Sequence, residues 1–349
     1  EMRVAFTDRS SSAAAFAIQP GTSVANGDIW FEEEDNASFN PGYQAADGST
    51  NLSNWGTDSG NGIAANSAKV STMGLGDSGY GFTTAMHEIG HAIGLSHPFD
   101  GSSFTGNTLS SDEDIIRNTL MSYTNLDRNS YINLSQGSNN WDYRNYDGSG
   151  FVSGAYSFGE KRVYASTPML YDIATAHYMY GEETTSNGNN AYGYDDKPIL
   201  IHTVVDSGGT DSIDASSVTR SSTINLTPGT FSSIGIYTQA QQLADIEANF
   251  GASVKSNVET FMATLDGNAA SGDAIYTGVD NVAIAAGTLI ENVFGGSGDD
   301  TITGNHLNNT IQAGAGDDTI NGGDGDGDTA RFSGASTDYT ISTVGGTTT

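Results

Sequence analysis

From Gly295 onward the chain can be cut every nine residues, and this period restricts its fold more than any other feature. The first block reads Gly295-Gly296-Ser297-Gly298-Asp299-Asp300-Thr301-Ile302-Thr303. The block from Gly304 is weaker, with Asn309 at the aspartate position and Ile311 at the apolar one. The block from Ala313 restores Gly314, Gly316, Asp318 and Ile320, and in the block from Gly322 the aspartate is displaced to Asp328. Glycines make tight turns and expose carbonyls, the aspartate offers a hard oxygen suited to Ca²⁺, and the single apolar residue points into a thin core. This is the pattern of a parallel β-roll, in which two blocks make one coil. Asp300 and Asp318, two blocks apart, then lie on one edge and can share an ion. The other edge would pair Asn309 with Gly327, so calcium there is expected to be weaker or absent. A flexible Gly/Asp linker would not keep isoleucines at a fixed period.

Composition agrees with a chain held together by metal. There are 45 glycines and no cysteine among 349 residues, so neither disulfides nor thiolate metal sites are available. The net charge is −30, from 12 basic and 42 acidic residues, the wrong field for a nucleic-acid partner. No apolar run approaches the roughly 20 residues of a membrane-spanning helix, so no membrane partner is expected. The 16 Tyr, 14 Phe and 3 Trp are too many for a disordered acidic tail.

The length suggests about two domains, at roughly 150 residues each. The character changes after Gly181, which divides the chain into 1–181 and 182–349, with the repeats at about 295–330. In the first part, Met2–Phe6 and Asp28–Phe31 read as short strands, residues 83–95 as a helix and 99–166 as loop-like. A second helix is expected over Pro168–Tyr180, with Thr167 as N-cap, Pro168 at its first position and Gly181 just past its end. Its stripe is Leu170, Ile173, Ala174 and His177. In the second part, Ile199–Val205 and Ser222–Leu226 read as strands, and 239–264 as helix broken at Gly251.

The helix at 83–95 carries the chemistry. It reads His87-Glu88-Ile89-Gly90-His91-Ala92-Ile93-Gly94-Leu95-Ser96-His97-Pro98 and holds three of the six histidines. His87 and His91, four apart, lie one turn above each other and can bind one tetrahedral zinc through nitrogen. Gly94 permits a sharp exit that brings back His97 as a third ligand, and three ligands leave a position for water, as in a catalytic site. Glu88 can reach that metal-bound water without being a ligand. A plain amphipathic core helix explains Met86, Ile89 and Ile93, but not this spacing.

Here the chain resembles the metzincin metallopeptidases, whose pattern is H-E-x-x-H-x-x-G-x-x-H followed by a Met-turn. Leu120-Met121-Ser122-Tyr123, downstream of His97, resembles that turn. The resemblance implies Met121 as a floor beneath the histidines, and Tyr123 as a catalytic hydroxyl and a further zinc contact. Together with the repeats, the arrangement is similar to the serralysins, secreted bacterial peptidases of this group. It implies an α+β metzincin-like catalytic domain followed by an all-β parallel β-roll. The implied function is a zinc-dependent endopeptidase acting on proteins or peptides, with Glu88 as general base on a zinc-bound water. One catalytic Zn²⁺ and several structural Ca²⁺ ions are implied.

In the repeats, the calcium ligands are expected at Gly295, Ser297, Asp300, Ala313, Ala315 and Asp318. The loop Asp206-Ser207-Gly208-Gly209-Thr210-Asp211 resembles a further calcium site of that family, implying Asp206, Gly208 and Asp211, with partners Ser186, Gly188 and Glu291. Where the family has an Arg-x-Gly-x-Thr turn, this chain has Ser186-Asn187-Gly188-Asn189-Asn190, which departs in its side-chain ligands. Substrate is expected as an added strand along Asp28, Ile29, Trp30 and Phe31. The resemblance further implies a monomer exported from a bacterium by a type I system. It also implies an N-terminal helix and strands and a C-terminal export signal that have no counterpart here, so a fragment at both ends is expected. A second reading is a calcium-dependent extracellular binding or adhesion module with an inactive protease-like domain; the intact Glu88 argues against it.

Overall fold

The computed structural model describes Thr83, Met86, His87, Ile89, Gly90, Ile93, and residues 95–99, 108–124, 129–136, 157–182, 186–196, 201–265 and 275–334. It also gives the backbone of short strands at 4–7, 29–33, 64–65, 139–141, 343–344 and 347–348. Three of these, β1 (Val4–Thr7), β2 (Ile29–Glu33) and β3 (Ala64–Ala65), form a parallel sheet in the order β1-β2-β3. β1 lies beside Ile29–Glu32, whereas β3 pairs only with Glu32 and Glu33. Asp28 lies outside the described residues.

The stretch expected to be loop-like contains an antiparallel sheet, β4 (Ser130–Gln136), β5 (Asn139–Trp141) and β6 (Ser157–Arg162), with β4 in the middle. Tyr131 packs into one core while Ile132 and Leu134 pack into another. A strand buried on both faces shows no two-residue alternation, which is why the sequence carries no strand signal here.

Helix α1 (Leu170–Tyr180) begins two residues later than expected, with Met169 rather than Thr167 as its N-cap. Asp172 makes the difference: its carboxylate accepts from the Met169 N–H at 2.9 Å. Thr167 instead accepts from the Thr203 N–H at 2.8 Å. Gly181, at φ 91°, ends the helix as expected, its N–H donating to the His177 carbonyl. The inward face is Leu170, Asp172 and Ile173, and Ala174 is exposed.

The second part is built on two parallel sheets. One has the order β17-β15-β13-β9-β7, the other β10-β14-β16. Their strands are β7 (Ala191–Asp195), β9 (Ser212–Ser217), β10 (Thr223–Asn225), β13 (Asn292–Phe294), β14 (Thr301–Thr303), β15 (Thr310–Gln312), β16 (Thr319–Asn321) and β17 (Thr329–Ala330). Ile302 pairs with Ile320, and Val293 with Ile311, so each strand lies beside the one two blocks on and two blocks do make one coil. Ile213, Val293 and Ile311 from one sheet meet Ile224 and Ile302 from the other in a single core, with Ile320 against it. The roll thus starts well before the repeats, because β7, β9 and β10 stack beneath them without sharing their sequence. A third sheet joins β11 (Phe231–Ser232), β12 (Val282–Ile284) and β8 (His202–Val204). The helical stretch is a hairpin of α2 (Gln239–Phe250) and α3 (Ala252–Leu265), broken at Gly251 as expected and capped by Thr238 with Gln241.

Residues from both sides of position 181 share two cores. Leu120, Tyr131 and Met169 pack with Ile201, Tyr237 and Tyr276. Ile132 and Leu134 pack with Ile246, Val258, Met262 and Ile275. The Tyr276 N–H donates to the Ser130 carbonyl at 2.6 Å. Arg117 reaches across to Asp280 at 2.7 Å and lies 5.2 Å over the Phe231 ring.

Candidate metal centre

Thr83, Met86, His87, Ile89 and Gly90 are helical, and Met86 lies against the core that holds Leu120. The Leu95 N–H donates to the Gly90 carbonyl at 2.9 Å, a six-to-one bond of the kind that closes a helix end. This brings His97 back over the helix: its Nε2 lies 3.2 Å from Nε2 of His87. Two nitrogens bound to one tetrahedral zinc at about 2.0–2.1 Å would sit roughly 3.3–3.4 Å apart. The pair therefore fits a shared ion. Glu88 and His91 lie outside the described residues.

Nδ1 of His87 lies 2.6 Å from the Leu120 carbonyl, so Nδ1 carries the proton and Nε2 presents its lone pair. Burial pushes the His87 pKa down and His97 adds to this, against the pull of the Leu120 carbonyl. A neutral imidazole is the form that binds a metal.

Leu120 belongs to the turn that continues through Met121, which is 2% exposed. A methyl group placed on Gly90 would lie 2.6 Å from the Met121 sulfur, so helix and turn touch there without room to spare. The Tyr123 ring lies 5.5 Å from His87 and 4.7 Å from His97, and Tyr123 is 63% exposed. Phe99 stacks on His97 at 4.9 Å and meets Tyr123 at 5.1 Å. Phe99 carried no signal in the sequence, since one aromatic after His-Pro has no period or motif.

The turn is pinned from two sides. The Ser122 hydroxyl donates to Asp114 at 2.6 Å. Asp172 accepts from the Leu120 N–H at 2.8 Å and from the Thr119 hydroxyl at 2.6 Å. Burial pushes the Asp172 pKa up, while these donors and the Met169 N–H pull it down in part. Asp172 was missed because a carboxylate in the first turn of a helix reads as a cap.

The candidate calcium residues fall into two groups. Asp206 and Asp211 face one another at the mouth of β9. The Asn190 side chain donates to Asp206 at 2.8 Å and its backbone N–H donates to Asp211 at 2.7 Å. The Tyr192 hydroxyl donates to Asp206 at 2.6 Å, and Glu291 accepts from the Asp211 N–H at 2.7 Å. Ser186 gives its carbonyl to Ser207, and the Gly188 carbonyl packs against Gly209. Gly208 donates its N–H to Asp206 at 2.9 Å. Burial and then Asp206 push the Asp211 carboxyl up. Burial of Asp206 is outweighed by its donors, Tyr192 foremost, which hold its carboxyl down. Asp211 is fully buried and its Oδ2 has no hydrogen-bond donor. A buried acceptor without a donor, beside a second carboxylate, fits a hard cation.

On the first edge of the roll, Asp318 accepts from the Asp300 N–H at 2.9 Å, and Asp300 accepts from Gly296 at 2.9 Å and Ser222 at 2.7 Å. Burial pushes Asp300 up, and Asp318 adds to this. Gly295 lies against both Ala313 and Asp300: a methyl on Gly295 would lie 2.0 Å from the Ala313 carbonyl and 2.8 Å from the Asp300 carboxylate. Ser297 donates to Val218, and Ala315 to Gly296. On the second edge, Asn309 pairs with Asp328 rather than Gly327. Thr310 stands opposite Thr329, one position beyond two full blocks, and this extra residue restores an aspartate: Asp328 accepts from the Asn309 N–H at 2.9 Å. The Asn309 amide donates to the Glu291 and Ile290 carbonyls and to Asn305. Among the described residues, no three histidine or carboxylate side chains gather as a complete metal cage.

Residues 170–258 match the family described as Peptidase M10 serralysin C terminal. The chain is 33% identical to a serralysin of Proteus mirabilis over 66% of its own length and 37% of the relative's. It is 30% identical to metalloprotease AprA of Pseudomonas entomophila over 68% of its own length and 39% of the relative's. It is 28% identical to a serralysin of Photorhabdus luminescens over 88% of its own length and 54% of the relative's. The chain therefore spans about half or less of the length of these relatives.

Proposed function

This chain is a relative of the serralysin-type metalloproteases, and from that premise we propose that it is a secreted zinc-dependent endopeptidase. The observation that carries the reading is the placement of two histidine Nε2 atoms 3.2 Å apart, with the other nitrogen of His87 on the Leu120 carbonyl. In this reading residues 1–181 form a metzincin-like α+β catalytic domain and 182–349 a calcium-stabilised β-roll domain. His87, His91 and His97 hold the zinc, and Met121 lies beneath them. A zinc ion held there supplies Lewis acidity, polarising the scissile carbonyl and acidifying water.

Glu88 accepts the proton of the attacking water and returns it to the leaving amine. The Tyr123 hydroxyl, exposed and beside both histidines, donates to the developing oxyanion. The peptide runs as an added strand along 28–31, on the side of β2 where β3 leaves Ile29–Phe31 unpaired among the described residues. Calcium is bound at Asp206 and Asp211 and between Asp300 and Asp318. No helix among the described residues is long and apolar enough to cross a membrane, and export from a bacterium by a type I system as a monomer completes the proposal. Replacing Glu88 by Gln tests it: casein cleavage should disappear while one zinc per chain is retained. A variant with full activity refutes the role of Glu88, and activity indifferent to a zinc chelator refutes the function.

A further inference from the structure

The Leu120 carbonyl sets the tautomer of His87, so whatever holds Leu120 acts on the metal-binding nitrogen. The group that holds it is Asp172, which is 5% exposed. It accepts from the Leu120 N–H at 2.8 Å, from the Thr119 hydroxyl at 2.6 Å and from the Met169 N–H at 2.9 Å. Thr119 Oγ1 in turn accepts from the Met121 N–H at 3.1 Å, and the Tyr171 N–H donates to the Asn118 carbonyl at 2.9 Å. Capping α1 needs only the Met169 contact. The other two donors come from a turn more than fifty residues away, at separations of 52 and 53. Burying a carboxylate for capping alone would be costly, since an exposed cap satisfies the same N–H.

We propose that Asp172 is a positioning residue: it fixes the 119–121 turn, and through the Leu120 carbonyl it holds His87 in the Nδ1–H tautomer with Nε2 aimed at the metal. The line runs from Asp172 to Leu120 to His87, with the Thr119 hydroxyl as a brace to Met121. If the turn relaxes, the imidazole can carry its proton on Nε2, and that form must rearrange before it binds a metal. The inference rests on the zinc reading above.

Two variants and two readouts test it. Asp172→Ala removes both carboxylate oxygens and with them all three hydrogen bonds. Asp172→Asn keeps one oxygen for the two backbone donors but loses the charge and the bond to Thr119. The first readout is the nitrogen NMR spectrum of the His87 ring in metal-free protein at a pH where the ring is neutral. Wild type should show the Nδ1–H tautomer and the Ala variant a mixture. The second is zinc release to a chelator, expected to rise toward 100-fold in the Ala variant and about 10-fold in the Asn variant, the range for lost outer-shell partners. Val258→Ala, fully buried in the core beneath α2 and α3, is the control for lost stability and should release zinc at the wild-type rate.

An unchanged tautomer together with unchanged release in the Asp172 variants overturns the proposal, as does equal acceleration in the Val258 control. If the Ala variant does not fold, the Asn variant decides on the same two criteria. If wild type binds no zinc, the zinc reading fails, and the tautomer alone decides the role of Asp172.

Discussion

Replacing Gly90 by Ala sets two effects of opposite sign against one another. In a helix interior, Ala is favoured over Gly by about 1 kcal/mol. If helix propensity ruled, the variant would be more stable. The added methyl, however, would lie 2.6 Å from the Met121 sulfur and 3.3 Å from Leu95 Cδ1. Ordinary contacts are about 3.5–4.0 Å, so the sulfur must retreat by roughly 1 Å. Met121 is 2% exposed, so it has little room. Overpacking of this kind costs about 1–3 kcal/mol. The net result should be a loss of up to about 2 kcal/mol, with the gain in helix propensity already subtracted. Activity should suffer more than stability. A shift of about 1 Å near reacting groups can cost on the order of 100-fold in rate. The assay is a melting curve beside kcat/KM on a casein-derived peptide, with zinc content measured on the same sample. A raised melting temperature with unchanged kcat/KM would show that Met121 is not a rigid floor, and the packing argument would fall.

Other perturbations reach the second part of the chain. Asn309→Asp should destabilise the roll by about 1–3 kcal/mol in a chelator, because a carboxylate oxygen would replace an amide that donates to two carbonyls. Added calcium should recover the loss, and a melting curve in chelator equal to wild type would contradict this. Gly314→Ala should cost at least about 3 kcal/mol in urea unfolding, since a left-handed backbone at φ 112° is combined with a methyl 1.9 Å from the Gly296 carbonyl. Burial lowers the pKa of His202, so its folded form favours the neutral ring. Stability from this group is present above the unfolded value of about 6.5 and is lost as pH falls below it. His202→Asn should therefore flatten the decline between pH 7 and 5, and an equally steep decline would exclude His202 as its source.

The repeats were legible because their physics is local: each block needs its own glycines, aspartate and isoleucine, at a spacing that the pairing of strands two blocks apart then met. Helix ends were legible to within a residue or two where a single residue type governs them, as at Gly181 and Gly251. The early start of the roll at β7, β9 and β10 was not, since those strands are specified by the layer above them and carry no repeat of their own. The strand β4 was hidden for the reason that makes it central, burial on both faces. The one-residue insertion that puts Asp328 opposite Asn309 could not be read from a period that it breaks.

For the site, spacing alone singled out His87, Glu88, His91 and His97, because a helix turn and a glycine exit are short-range geometry, whereas Met121 and Tyr123 entered only through the resemblance of 120–123 to a Met-turn. Tertiary structure decided what surrounds them. It set Leu120 on the His87 ring, Asp172 behind Leu120 and Phe99 on His97. It also left Asp211 Oδ2 buried without a donor. These contacts join positions up to dozens of residues apart, and chain length between two residues carries no record of which carbonyl or carboxylate will face them once the layers pack.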